Sequence, residues 1–256
     1  MAFPGVRTGL AILAAGLVAA CAPSAPANEP VPENEAIVAS EDPMSIRPFE
    51  IAVPDEVLTD LQARLSGTRF PDQLEGVGWD YGTDLAYLRE LVDYWQTGFD
   101  WRDQERRLNA FDHFKTTIDG LDIHFIHQRS ANPDALPLLV THGWPGSIFE
   151  FTKIIGPLTD PEAHGGQASD AFHIVAPSLP GYGFSDAPRE PGYGPERMAT
   201  INAQLMARLG YDRYGVQGGD WGGIISRWTA FNDADHVVGM HLNFVTGTAP
   251  PGFASS

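Results

Sequence analysis

The stretch QGGDWG at residues 217–222 decides the fold, because it joins an apolar run at 214–217 to a helical pattern at 221–231. Glycines two residues before and two residues after Asp220 allow a strand-to-helix turn that is too tight for side chains. Such a turn, a nucleophile elbow, exposes its central residue at the top of a sheet. A glycine-rich phosphate loop is the competing interpretation, but the stretch has no lysine and the Asp220 carboxylate would repel a phosphate.

The aspartate at the centre of this elbow indicates the chemistry. A carboxylate forms an ester with carbon and leaves the ester carbonyl for water to attack, which suits displacement at a saturated carbon. We therefore predict that Asp220 is a covalent nucleophile. The motif HGWPG at residues 142–146 follows an apolar run, where a partner loop supplies backbone N–H groups that hold an oxyanion. We predict that the backbone amides of Trp144 and Trp221 are these donors.

Short apolar strands alternate with amphipathic helices after residue 110, which is typical of an α/β fold with a mostly parallel sheet. The sequence predicts a hairpin at 113–128, with Asp119-Gly120 as a type I′ turn, at the antiparallel edge of this sheet. Further strands are predicted at 138–140, 173–176, 214–217 and 237–245, and helices at 195–209 and 221–231. Three helical patterns precede the hairpin, at about 54–66, 83–97 and 101–108.

The charge and the cysteine content exclude several classes of function. Asp and Glu total 33 against 16 Lys and Arg, and the net charge of −17 would repel a nucleic acid. A single cysteine excludes a disulfide framework and a Cys-based zinc site within one chain. No histidine pair has the helical spacing of a metal site, so we predict no metal and no cofactor.

The N-terminal sequence has the pattern of a bacterial lipoprotein signal. Arg7 precedes an uncharged run at 8–21, which is about 21 Å long as a helix and too short for a bilayer core of about 30 Å. The closing VAAC resembles a lipobox, in which Cys21 is lipidated and becomes the new N-terminus. We predict a signal peptide at 1–20, a flexible tether at 21–44 and attachment to the cell envelope by the lipid alone. An ordinary secretory signal, with a secreted or periplasmic protein, is the alternative.

A series of motifs in order along the chain carries a resemblance to one family. They are RPF from Arg47, YW from Tyr94, FDW from Phe99, IDG from Ile118, IHFIH from Ile123, HGWPGS from His142, PSLPGYGFS from Pro177 and QGGDWG from Gln217. On these motifs the chain resembles the microsomal-type epoxide hydrolases and their bacterial relatives. The resemblance implies an α/β-hydrolase core at 111–256, preceded by an epoxide hydrolase N-terminal helical domain at 45–110.

The resemblance also implies a mechanism. Asp220 would attack a carbon of a small-molecule epoxide, and lid tyrosines would donate to the epoxide oxygen. Trp144 and Trp221 would then stabilise the oxyanion that forms when water attacks the ester. The matched histidines His124 and His127 are expected to pack, and His142 is expected to brace its loop by hydrogen bonding.

The hydrolytic half of this chemistry needs an acid and a histidine, which follow the nucleophile in this fold. Of the 36 residues after Asp220, His236 and His241 are the histidines, and both come too early in the fold to be the base. We therefore expect a core that is incomplete at its C-terminus and lacks the lid, the last strands, the acid and the base. Such a chain would be inactive or would stop at the aspartyl ester.

Two alternatives stay open. Haloalkane dehalogenases also have Asp followed by Trp at the elbow, although many place asparagine where this chain has Trp144. A noncatalytic surface lipoprotein would keep the fold for binding, although an open sheet edge and uncovered apolar faces favour aggregation.

Overall fold

The computed structural model describes Asp42 and residues 45–245. The predicted signal peptide at 1–20, the predicted lipidation site Cys21 and most of the predicted tether at 21–44 lie outside these residues. Within the described ranges, no helix combines the length and the apolar character that crossing a membrane requires.

The described residues contain one mixed sheet. Its strands are Arg47–Pro48 (β1), His113–Ile118 (β2), Leu121–Gln128 (β3), Leu136–Thr141 (β4), Phe172–Pro177 (β5), Tyr214–Gly218 (β6) and Val237–Leu242 (β7). The strand order is β1-β2-β3-β5-β4-β6-β7. Strands β5, β4, β6 and β7 are parallel, whereas β1, β2 and β3 pair antiparallel and join the sheet beside β5. The predicted α/β architecture is confirmed, with the hairpin strands on one side of the parallel set.

Helices precede the hairpin and also connect the parallel strands. The α-helices are Asp55–Ser66 (α1), Leu85–Thr97 (α2), Trp101–Leu108 (α3), Ile155–Thr159 (α4), Pro195–Arg208 (α5) and Asp220–Asn232 (α6), and 3-10 helices span Ile148–Phe151, Pro161–His164 and Ala168–Asp170. Helix α5 begins with a proline in its first turn. A proline has no backbone N–H, and in the first turn of a helix that N–H would have no hydrogen-bond partner within the helix. The bounds of α5 and α6 agree with the predicted helices to within one residue.

The hairpin between β2 and β3 has the predicted turn. Asp119 has φ of 54° and Gly120 has φ of 75°, which are the two positive values that a type I′ turn requires. The hairpin is not the outermost pair of the sheet, because the two-residue strand β1 adds to β2 through Arg47 and Pro48. The prediction that the hairpin forms the edge of the sheet is therefore wrong, because β1 is the outermost strand. Strand β1 has only two residues, which are too few for the alternating pattern of a strand to appear in the sequence.

The core lies on both faces of the sheet. Neighbouring residues on a strand point to opposite faces, so Phe125 and Ile126 belong to two different buried clusters. One cluster packs against the buried face of α5, including Leu205, and the other packs against the helical segments after β4, including Phe151 and Ile155. The sheet therefore has helical cover on both faces, as a parallel sheet requires.

The first two helices are only partly covered. Of the apolar residues of α1, Leu65 is buried, whereas Val57 is 52% exposed. No residue of α2 is buried, and its Trp95 is 45% exposed. The spacing of apolar residues therefore predicts correctly that these helices form. It does not predict how much of each helix is covered by the other described residues.

Helix α3 anchors the extended segment that follows β1. The Glu105 carboxylate accepts a hydrogen bond from the Val53 amide at 2.7 Å and one from Arg102 Nη1 at 2.7 Å. Asn109 adds two hydrogen bonds to the backbone of Ile51, at 2.9 and 2.8 Å. These contacts hold the segment after β1 against α3, and Ile51 of this segment is buried in the core.

Strand β7 ends earlier than predicted. It runs to Leu242 rather than to residue 245, because Asn243 turns towards the start of α6. There the Asn243 amide donates to the carbonyl of Gly218 at 3.4 Å. This end of β7 thus contributes to the loop that carries Asp220.

Candidate active site

Asp220 lies at the junction between β6 and α6. It is the first residue of α6, and its φ of 51° is in the left-handed region, which a residue with a side chain rarely adopts. Backbone strain of this kind is held only where the surrounding structure enforces it and is concentrated at functional sites. The turn therefore has the conformation of the predicted elbow.

Two glycines make the elbow sterically possible. A methyl group at Gly218 would overlap the backbone of Gly222, one turn into the helix. A methyl group at Gly222 would overlap the carbonyl oxygen of Thr141 at the end of β4. The glycine pattern in the sequence thus has a direct cause, which is the close approach of three backbone segments beneath Asp220.

Backbone amides hold the Asp220 carboxylate. The Trp144 amide, in the loop after β4, donates to Asp220 Oδ1 at 2.8 Å. The amides of Trp221 and Trp144, in that order of effect, lower the pKa of Asp220 below its usual value. The carboxylate is therefore ionised at neutral pH, which is the form that a nucleophile needs. The structure thus brings together the three residues that the sequence predicts for the site.

His142 braces the loop that carries Trp144. This buried imidazole has its Nδ1 at 3.0 Å from the carbonyl of Gly143, and its Nε2 accepts from the Leu179 amide at 3.1 Å. A carbonyl only accepts, so the proton lies on Nδ1 and the ring is neutral. Burial lowers the pKa of His142, which favours this neutral form. Both ring nitrogens are occupied by the backbone, which fits the expected bracing role.

The other matched histidines lie in the sheet. Both are buried, and burial is the main cause that lowers the pKa of His124 to about 3 and that of His127 to about 4. His127 Nε2 lies 2.8 Å from the Tyr211 hydroxyl, and His124 lies between His113 and Ser178, at 2.9 Å from each. Their hydrogen bonds join strands and loops of the core, in keeping with a packing role.

His236 and His241 differ in position relative to the elbow. His236 Nδ1 lies 2.7 Å from Asp233 Oδ1, beyond the C-terminal end of α6. Helix α6 has 13 residues and begins at Asp220, so about 18 Å of helix separates this pair from the carboxylate. His241 is on β7, opposite Gln217 in the pairing with β6.

Two polar residues next to the site were not predicted from the sequence. Asn243 lies against Gly219, where a methyl group would overlap its Oδ1. The Glu150 carboxylate lies near the amides of Gly143 and Ser147 in the loop after β4, and these amides favour its ionised form. Neither residue is part of a sequence motif. Each approaches the elbow only because its segment of the chain folds back towards the loop after β4 or the start of α6.

The described residues contain no group of three or more His, Cys, Asp or Glu side chains that is arranged to hold a metal ion. The site as described consists of one carboxylate and backbone amides. Asp220 is exposed, and the Trp144 and Trp221 side chains beside it are 66% and 47% exposed, so the carboxylate is open to solvent.

Comparison with known proteins identifies the family. The family model for the epoxide hydrolase N terminus matches residues 46–151, and the model for the alpha/beta hydrolase fold matches residues 137–245. The chain is 52% identical over 199 residues to a Stigmatella aurantiaca (strain DW4/3-1) protein that carries the epoxide hydrolase name provisionally. It is 46% identical over 203 residues to epoxide hydrolase 1 of Sus scrofa. The chain belongs to the epoxide hydrolase family.

The solved structures agree with this family. The crystal structure of juvenile hormone epoxide hydrolase from the silkworm Bombyx mori superimposes with a TM-score of 0.71 at 42% identity, covering 78% of this chain and 53% of that one. The α/β-hydrolase fold and the family resemblance are thereby confirmed. Both sequence relatives are matched over 78% of this chain, and the chain spans about 45% of the length of each.

Proposed function

We propose that this epoxide hydrolase family chain opens small epoxides by forming an ester on Asp220. The observation that carries the proposal is the elbow itself, in which the ionised carboxylate projects from the head of α6 with Oδ1 held by the Trp144 amide. Oδ2 is the oxygen that attacks. The relatives that carry the epoxide hydrolase name at 52% and 46% identity support epoxides rather than haloalkanes as the substrate class.

The first half-reaction forms one bond and breaks one. A lone pair of Asp220 Oδ2 attacks a ring carbon, the carbon–oxygen bond of the ring breaks, and the ring oxygen takes up a proton from a water molecule. The product is a hydroxyalkyl ester of Asp220. Because Trp144 already holds Oδ1, this oxygen becomes the ester carbonyl without moving.

In the second half-reaction water adds to the ester carbonyl and gives up a proton to a base. Negative charge then develops on Oδ1, where the amides of Trp144 and Trp221 stabilise it. Donors of this kind contribute about 10²–10³-fold each in rate in other enzymes. Collapse of the intermediate breaks the ester bond, and the departing alkoxide takes the proton back from the base, which gives a vicinal diol and the Asp220 carboxylate.

We propose that the 256-residue chain by itself accumulates the ester. His236 is paired with Asp233 at the far end of α6, a position from which it does not reach an ester on Asp220. Turnover to diol at an ordinary enzymatic rate by the 256-residue chain would contradict this part of the proposal.

The test is incubation with styrene oxide, followed by mass spectrometry of the peptide that contains Asp220. The wild-type chain and the control D235N, which changes an exposed aspartate, should form the adduct, and D220N should not. A folded wild-type chain that forms no adduct on Asp220 would refute the first half-reaction. Equal labelling of D220N would show that another residue reacts.

We also propose that Cys21 carries a lipid that anchors the protein in the bacterial cell envelope. The uncharged run that ends in VAAC supports this proposal, and so does the Pro/Glu-rich sequence that follows it. The epoxide site would then lie in the envelope compartment.

A further inference from the structure

A second carboxylate lies beside the loop that carries Trp144. The 3-10 helix Ile148–Phe151 follows this loop directly, and it turns the Glu150 side chain back onto the loop. A methyl group at Gly146 would overlap Glu150 Oε1. The absence of a side chain at Gly146 therefore creates the space that the Glu150 carboxylate occupies.

Glu150 lies close to the loop on both sides of Trp144. The amides of Gly143 and Ser147 are near enough to its carboxylate to favour the ionised form, so one side chain neighbours both the start and the end of the loop. His142 meanwhile holds the carbonyl of Gly143 at 3.0 Å. The peptide between Gly143 and Trp144 is thus fixed next to its N–H, which donates to Asp220.

Glu150 is also close enough to Asp220 for the two carboxylates to interact electrostatically. The residue as a whole is exposed, but the loss of solvent around its carboxylate is the largest effect that raises the pKa of Glu150, and the negative charge of Asp220 raises it further. The nearby amides of Gly143 and Ser147 act in the opposite direction and favour the ionised form. Gly143 lies between the two carboxylates, because a methyl group on it would overlap Asp220 Oδ1.

From this arrangement we infer that Glu150 is a positioning residue, which uses the space at Gly146 to fix the direction of the Trp144 N–H that holds Asp220. The inference rests on the proposed function, in which that N–H serves the ester and the oxyanion. Glu150 acts through the backbone of Gly143 and Ser147 and does not itself contact the epoxide.

Two kinds of variant distinguish the effect of the Glu150 carboxylate from the effect of the space at Gly146. E150A removes the acceptor, E150Q keeps one oxygen acceptor but removes the charge, and G146A fills the space. E162Q is the matched control for the glutamate, because Glu162 is an exposed residue of another 3-10 helix. G194A is the control for the glycine, because a methyl group at Gly194 meets nothing within 4 Å.

The primary measurement is amide NMR of the full chain and does not require catalysis. E150A and G146A should shift the Gly143 and Trp144 amide resonances and increase their exchange with solvent, whereas E162Q and G194A should leave them unchanged. In the wild type, the Gly143 amide resonance should titrate with an apparent pKa above the ordinary glutamate value of about 4.3. E150Q should abolish this titration while retaining the slow exchange.

The second measurement is the rate of ester formation on Asp220 with styrene oxide. E150A and G146A should be slower by about tenfold or more, because small displacements of positioning groups cost up to about a hundredfold. E150Q should recover part of the loss. If G146A does not fold, the loss of the titration in E150Q still decides the question.

Unchanged Gly143 and Trp144 resonances in both E150A and G146A would overturn the positioning role. Persistence of the Gly143 titration in E150Q would do the same, because another group would then be its cause. If the wild type forms no ester, the proposed function loses its first step, whereas the NMR measurement still tests Glu150.

Discussion

The buried pair His113 and His124 predicts a loss of stability in mild acid. The Leu108 carbonyl lies 2.7 Å from His113 Nε2 and only accepts, so His113 donates there and its Nδ1 accepts from His124. The remaining nitrogen of His124 accepts from the Ser178 hydroxyl at 2.9 Å. Both rings are neutral in this arrangement, and neither has a free nitrogen for a second proton.

The size of the effect follows from the pKa of His124. Burial is the main cause that lowers that pKa to about 3, and the positive charges of a protonated His113 and of Lys115 lower it to a lesser extent. In the unfolded chain it is about 6.5, so at pH 7 the group is neutral in both states and costs nothing. Below pH 6.5 only the unfolded chain takes up the proton, so stability falls as the pH falls, until the folded pKa is reached. By pH 4 the loss from His124 alone is about 3 kcal/mol, a large part of a typical total of 5–15 kcal/mol.

Urea unfolding followed by tryptophan fluorescence measures this loss at pH values from 7 to 4. The wild-type free energy of unfolding should fall with pH, and H124Q should reduce the slope by up to about 1.4 kcal/mol per pH unit, the contribution of one proton. H164Q is the control, because His164 is exposed. A slope that H124Q leaves unchanged would refute the reasoning, because the folded protein would then protonate His124 without cost.

Three further predictions concern the elbow, the N-terminal segment and the envelope. G222A should destabilise the protein by about 1–3 kcal/mol in urea unfolding, because its methyl group would overlap the Thr141 carbonyl, whereas G194A should have little effect. E105A should cost about 1–3 kcal/mol, because the Val53 amide loses its acceptor. Because the Val53 amide and Arg102 lower the pKa of Glu105, its contribution should be present above pH 4.5 and be lost as the pH falls below that value in the same assay. C21S should abolish lipid processing and membrane fractionation of the expressed protein, and unchanged fractionation would contradict the lipid anchor.

The features that were predictable from the sequence are those with a local steric cause. The turn at Asp119-Gly120 and the elbow at Asp220 both need positive φ values, and the residue types that permit such turns stand out in a sequence. The parallel strands were predictable because buried strands read as short apolar runs. Comparison with relatives was needed to confirm the family, because the elbow motif by itself predicts only the conformation of a turn.

The features that were not predictable depend on contacts between distant segments. Strand β1 has two residues and is defined only by its pairing with β2. Glu150 lies in an ordinary polar position of the sequence, and only the return of its 3-10 helix places its carboxylate at Gly146. The exposure of Val57 likewise depends on what packs against α1 and not on the spacing of apolar residues along it.

The hydrogen bonds of the resting site have a consequence for both half-reactions. The Trp144 amide holds Asp220 Oδ1 before any substrate is present, and in the proposed mechanism the same oxygen becomes the ester carbonyl and then the oxyanion. The donor therefore need not move as the charge changes, and preorganised donors of this kind avoid the cost of reorientation during the reaction. The same contact lowers the pKa of Asp220, which keeps the carboxylate ionised but makes it a weaker base. Strain at Asp220 and bracing by His142 and Glu150 thus act together: they hold Oδ1 against the Trp144 amide while the other oxygen is left to react.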